Sequence, residues 1–255
     1  MIINESFSEG NTFIHRLDPR VKLLAAFLFS VIISVSSRFI PLFLSFIIAF
    51  ALLTSARLPI KTVLLRLLFA NLFIFLLWIF IPFTMKGEIL VPLGPLTLSR
   101  EGLFFCFLLT IKSNAIIIIL IALTATMPVF TLGRAMSSFR VPAKIVNLFI
   151  FSYRYIHAIL LEYKRLKEAM DMRGFRPKTN MHSYRSYAYL VGMLIVKSHD
   201  RAERVHSAML CRGFQGRFFD LTEFSLKGTD LIFITTFIIC LMVITLIQWP
   251  MLISL

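Results

Sequence analysis

A chain of 255 residues that is 58% hydrophobic and carries 27 phenylalanines has more apolar surface than one soluble core of that size can hide, so the sequence describes an integral membrane protein. Its formal charge of +14 would suit nucleic acid, but basic residues beside apolar spans follow from the bias of cytoplasmic loops toward Lys and Arg, and no nucleic-acid partner is implied. Cys106, Cys211 and Cys240 form no paired spacing, which argues against a disulfide framework.

The first ten residues lack the basic region and small-residue cleavage site of a secretory signal, so the N-terminus is expected to be kept. Asp18 is placed to cap, and Pro19 to open, a first apolar segment over 21–35. A second covers 39–55, with Pro41 near its start, where proline is tolerated. At 15 and 17 residues both sit at the lower edge of what crosses a bilayer, and they read as a hairpin of short or tilted helices. Arg57, Lys61 and Arg66 form a basic connector before a third segment, 67–83. There Asn71 reads as a hydrogen-bonding partner for a neighbouring helix, and Trp78 as core or interface anchor. Residues 84–102, with Pro92, Gly94 and Pro95, read as an exposed loop containing turns. The fourth segment, 103–127, contains Asn114 and also Lys112, which either faces the bundle interior or snorkels.

Pro128 ends that segment. A short amphipathic helix over 129–140 precedes Val141-Pro142, and two long helical patterns follow, 142–173 and about 181–212, each reaching roughly 45 to 50 Å at the helical rise. The last apolar segment is 231–248. The chain thus divides into a membrane region with four hydrophobic segments, 1–127, a basic region, 128–230, and a C-terminal membrane helix, 231–255. Between Pro128 and Asp230 there are 17 Lys and Arg against eight Asp and Glu. That excess puts the N-terminus and the basic region in the cytoplasm, and five spans then leave the C-terminus outside. The long patterns carry apolar stretches at 145–161, interrupted by Arg154 and His157, and at 187–196, only about ten residues. Both read as amphipathic, lying along the cytoplasmic face of the lipid bilayer, because spans there would send Lys164, Arg165, Lys167 and Arg173 outside.

One phrase is written twice. Ala169-Met170-Asp171-Met172-Arg173-Gly174-Phe175 recurs 39 residues later as Ala208-Met209-Leu210-Cys211-Arg212-Gly213-Phe214, and Arg165-Leu166 aligns with Arg204-Val205 at the same offset. Each copy closes a helical pattern: Ala and Met favour helix, Arg suits the negative end of the helix dipole, and Gly takes the left-handed conformation that ends a helix. A single Arg-Gly reads as a terminator. Two matching copies, with Ala and Arg four apart on one face, read as two plugs for the two equivalent sockets of a two-fold symmetric partner.

No phosphate-binding loop of the GxxxxGK[ST] form is present, so the chain is not expected to hold ATP. His15, His157, His182, His199 and His206 do not gather with Cys or carboxylates at metal spacing, apart from His199 and Glu203 one turn apart, so no metal site and no cofactor are expected. No nucleophile with a neighbouring base stands out, and the chain reads as non-catalytic.

The paired phrases, the opening His15-Arg16-Leu17-Asp18-Pro19-Arg20-Val21-Lys22 and Val141-Pro142 before a long helix resemble the T component of energy-coupling factor transporters, over nearly the whole chain. Tyr189-Leu190-Val191-Gly192-Met193-Leu194, followed by Arg201-Ala202-Glu203-Arg204-Val205 and the second Arg-Gly, is most similar to the cobalt branch, the CbiQ type, with the nickel branch close by. Many members read Ala-Arg-Gly where this chain has Met172-Arg173-Gly174 and Cys211-Arg212-Gly213.

The resemblance implies an all-α integral membrane protein of the cell inner (cytoplasmic) membrane, with about five spans and two long cytoplasmic amphipathic coupling helices ending in Arg-Gly. It implies two partners: a pair of ATP-binding cassette ATPase subunits that hydrolyse ATP, and a membrane subunit that captures cobalt or nickel. This chain would transmit motion between them through Ala169, Met170, Arg173 and Gly174 and through Ala208, Met209, Arg212 and Gly213. A T component serving a vitamin-capture subunit is the alternative within the family. A self-contained carrier would need polar groups gathered at mid-membrane, where the spans offer only Asn71, Lys112 and Asn114.

Overall fold

A computed structural model describes residues 10, 12–85, 89–93, 96–216 and 227–248. They are helical apart from one hairpin: α1 (Phe13–Arg16), α2 (Pro19–Val35), α3 (Phe39–Ala56), α4 (Ile60–Thr84), β1 (Ile89–Leu93), β2 (Leu96–Ser99), α5 (Arg100–Leu123), α6 (Val129–Ser138), α7 (Ala143–Met172), α8 (Met181–Cys211) and α9 (Gly228–Gln248). Two compact units result. Residues 12–135 with 227–248 form one, and residues 136–216 form the other.

The first unit is a bundle with α5 against α2, α3 and α4, and α9 against α2 and α3. Its core joins Phe29 and Ile33 of α2, Leu42 and Ala49 of α3, Ile119 and Leu123 of α5, and Phe237 and Leu241 of α9. Phe29 meets Phe237 at 6.1 Å between ring centroids. Ala25, Ala26, Ala49, Ala115 and Ala122 are also buried, small residues that let helices approach closely where lipid on the outside is as apolar as the interior. The reverse face is equally apolar: Leu68, Phe69, Leu72 and Phe73 of α4 are each about two-thirds exposed, a surface suited to acyl chains rather than water.

Most polar side chains inside the bundle are matched, although the fully buried Ser36 hydroxyl has no hydrogen-bond partner among the described residues. Asn71 and Asn114 exchange side-chain hydrogen bonds at 2.9 and 3.0 Å, and each amide also donates to a carbonyl one turn back, Leu67 O and Thr110 O. Trp78 Nε1 donates to Thr110 Oγ1 at 3.0 Å. Lys112 reaches from α5 to donate to Ser34 O at 2.8 Å, satisfying a carbonyl in the last turn of α2, where the helix dipole favours a cation.

Asp18 does cap α2, its side chain accepting from Arg20 N–H, with Pro19 as the first helical residue. A longer-range clasp is built on the same spot. Asp230, 1% exposed, accepts from Asp18 N–H at 3.0 Å and from Lys227 N–H at 2.9 Å, and its charge is felt by the equally buried Lys22 ammonium, which donates to His15 O.

Three boundaries differ from the sequence reading. The connector before the third segment is already helix, because Pro59 precedes α4 and nothing between Ile60 and Leu67 breaks it. Part of the loop over 84–102 is an antiparallel hairpin, and α5 starts at Arg100, where the Ser99 hydroxyl accepts from Gly102 N–H. Among the described residues five helices are long and apolar enough to cross a membrane, but they are α3, α4, α5, α7 and α9. The 17 residues of α2 fall short in length, whereas α7, read from the sequence as amphipathic, qualifies because its charges concentrate after Leu161.

Replacing Asp230 by Ala strips two backbone donors of their acceptor and a buried ammonium of its counter-charge, and the change is expected to cost about 3 to 5 kcal/mol. Thermal unfolding of the detergent-solubilised protein should show a clear drop in Tm, larger than for Asp230→Asn, which keeps an acceptor oxygen.

Candidate functional site

Both copies of the repeated phrase end a helix in the same way. At the end of α7, Gly174 N–H donates to Asp171 O at 3.0 Å and Phe175 N–H to Met170 O at 3.2 Å; at the end of α8, Gly213 N–H donates to Leu210 O at 2.9 Å and Phe214 N–H to Met209 O at 3.0 Å. These paired bonds form a Schellman motif, which requires a left-handed residue, and Gly174 and Gly213 have φ of +77° and +78°. A Cβ on either glycine would meet nothing within 4 Å, so the requirement lies in the backbone alone.

The side chains repeat as well. Ala169, Arg173, Ala208 and Arg212 are exposed, while Met170, Phe175, Met209 and Phe214 are half-buried. Met172, where many members have Ala, is 88% exposed, so its bulk meets no constraint within the chain. Arg173 and Arg212 form no ion pair with another described residue. Backbone and glycine close both helices without using either guanidinium.

α7 and α8 run antiparallel. Asn147 near the start of α7 donates to Gly216 O beyond the end of α8 at 3.3 Å, Glu162 meets Arg201 at 3.8 Å, and Phe175 stands edge-on to Tyr187 at 5.6 Å. Each step forward on one helix is a step back on the other, so the two Arg-Gly ends lie at opposite ends of the pair. Beside the second end is a groove of about 780 Å³ lined by Phe151, Arg154, Tyr155, Ala208, Met209 and Arg212. It adjoins an apolar pocket of about 260 Å³ that includes Ile159, Ala202 and Val205.

Glu162 and Lys197 are residues the sequence reading did not single out. Lys197 and Arg201, one turn apart on α8, and Arg165 on α7 all converge on this carboxylate. His199 and Glu203 do form an ion pair, at 3.4 Å, but both are well exposed. Among the described residues no group of three or more His, Cys, Asp or Glu could hold a metal ion.

The class defined by this build is a multi-pass α-helical membrane protein bearing a pair of exposed basic helix ends. The model of the CbiQ family, described as cobalt transport protein, matches residues 10–221, and the chain belongs to that family. Its relatives include the energy-coupling factor transporter transmembrane protein EcfT of Bacillus selenitireducens, 29% identical over 226 residues that cover 84% of each chain. The proteins of the same name from Streptococcus equi and Bacillus subtilis are 29% and 27% identical, covering 81% and 85% of each chain. The chain is thus a T component of an energy-coupling factor transporter.

Gly174→Ala and Gly213→Ala should each loosen the helix end by about 1 to 2 kcal/mol, the cost of a left-handed residue with a side chain. Hydrogen exchange at the amides of Phe175 and Phe214 should accelerate about tenfold in the corresponding variant.

Proposed function

We propose that this T component is the non-catalytic coupling subunit of a cobalt importer, passing the motion of two ATP-binding cassette ATPase subunits to a separate membrane subunit that captures the ion. The observation that carries the reading is the identity of the two helix ends in bonding, exposure and cation placement, which suits two equivalent grooves on an ATPase pair. In this reading Ala169, Met170, Arg173 and Gly174, and Ala208, Met209, Arg212 and Gly213, are the docking residues. Each Arg would make charge-assisted hydrogen bonds to acidic or carbonyl groups, with the neighbouring alanine permitting close approach and the methionine supplying adaptable apolar contact. Nucleotide-driven approach of the grooves would then scissor α7 against α8.

Cobalt as cargo is supported by the description of the family. The names of the relatives specify no cargo, and a vitamin is the alternative reading. Uptake of radiolabelled cobalt by cells carrying the complex, competed with nickel, separates these readings.

The exposed hydrophobic faces of the first unit place the chain in the bilayer, and the basic excess of residues 128–230 supports a cytoplasmic location for the coupling helices in the cell inner membrane. Lys178, in the link between α7 and α8, is then cytoplasmic. A cysteine there should resist an impermeant thiol reagent added to intact cells and react after permeabilisation.

Arg173→Ala and Arg212→Ala should each weaken co-purification of the ATPase subunits, by about 2 to 5 kcal/mol where the contact is desolvated, without changing the affinity of the capture subunit for its ion. The double variant should lose both docking points. Full assembly and uptake in the double variant would leave the two phrases as helix ends only.

A further inference from the structure

The 39-residue repeat and the charge geometry of the α7–α8 pair meet at one place. Glu162 and Arg201 occupy the same position in the two copies of the repeat, and they are in contact at 3.8 Å. When two antiparallel elements are related by a two-fold axis, a position meets its own equivalent only at that axis. The arms agree with this. Eleven residues lead from Glu162 to Arg173 and eleven from Arg201 to Arg212, so each docking arginine lies about 16 Å from the crossing along its helix. Two tips at equal distance from a shared centre are what two identical sockets related by a two-fold require.

The chemistry at the centre suits a joint that turns. Glu162, with its side chain 13% exposed, is the single carboxylate shared by Lys197, Arg201 and Arg165, whose side chains are 44%, 37% and 74% exposed. Lys197 and Arg201 stand one turn apart and engage different oxygens, Lys197 through Oε1 and Arg201 through Oε2. As one helix rotates on the other, the carboxylate can shift its weight between the two cations without losing both. The adjoining pocket, with Tyr155, Ile159, Ala202 and Val205, gives the crossing a largely apolar flank.

We infer that Glu162 is a positioning residue at the pivot of the coupling helices, held by Lys197 and Arg201 so that the crossing stays fixed while the arginine tips move. The inference rests on the coupling reading above, and Glu162 acts through Arg173 and Arg212.

The test uses the complete complex in proteoliposomes, reading ATPase co-purification, ATP hydrolysis and cobalt uptake for Glu162→Gln, Glu162→Lys and the exchange Glu162→Lys with Arg201→Glu. Glu162→Gln, which keeps size and shape, should retain the ATPases and their hydrolysis but lower uptake per ATP hydrolysed by roughly tenfold or more, the scale of a lost charge-assisted contact. The exchange should recover most of what Glu162→Lys loses. An unchanged ratio in Glu162→Gln, or an exchange no better than Glu162→Lys alone, would overturn the pivot. So would loss of the ATPases in Glu162→Gln, which would make the residue a strut. If the pivot fails while the double arginine variant still loses its ATPases, the coupling reading stands; if that double variant keeps them, the coupling reading itself falls.

Discussion

A bilayer offers an unpaired polar group no water, and the first unit is arranged around that constraint. Its backbone is helical almost throughout, and its hydroxyls turn inward on their own helices. Ser30 donates to Ala26 O, Ser55 to Ala51 O, Thr110 to Cys106 O, Ser113 to Leu109 O and Thr235 to Leu231 O, each one turn back. Asn71 and Asn114 bond back in the same way and also pair with each other across helices, while Lys112 reaches across to Ser34 O. The second unit obeys a different rule. Its helices carry fixed charges in their C-terminal halves and end in cations, which only an aqueous or protein environment accommodates.

The parts legible in the sequence were those written in local order. Apolar runs announced the bundle helices, Asp18-Pro19 announced the start of α2, and the recurrence of Ala-Met-x-x-Arg-Gly-Phe announced two like helix ends. The bonding at Gly174 and Gly213 follows from the same few residues that carried the expectation, so little beyond the phrase was needed to foresee it. Asn71 was legible as a packing residue because an amide in an apolar helix has few other fates, although its partner was not.

What escaped was long-range. Nothing near Asp230 in the chain says that it will receive the Asp18 N–H, and an acid at the start of a helix is satisfied equally well by its dipole. Glu162 was hidden differently: in a segment crowded with Lys and Arg it looked like one more solvated charge, and only the antiparallel register of α7 and α8 gives it two cations from the facing helix. The 39-residue offset contained the pairing, but the copies match in their ends and differ at this position, acid in one and base in the other. Hydropathy placed α7 ambiguously for a related reason. Its first half is apolar and its second charged, so an average over the helix describes neither.

The clasp at Asp230 also bears on the order in which the protein is made. Its two sides are separated by 212 residues, so at ordinary translation speeds roughly ten to forty seconds pass between the emergence of Asp18 and of the carboxylate that completes it. Throughout that interval Lys22 lacks the counter-charge that Asp230 supplies in the finished fold, although the residues of α3, α4 and α5 have already been made. The seam between α2 and α9 can therefore close only after α9 is made, and a chain that ends before that helix lacks the acceptor for the Asp18 N–H.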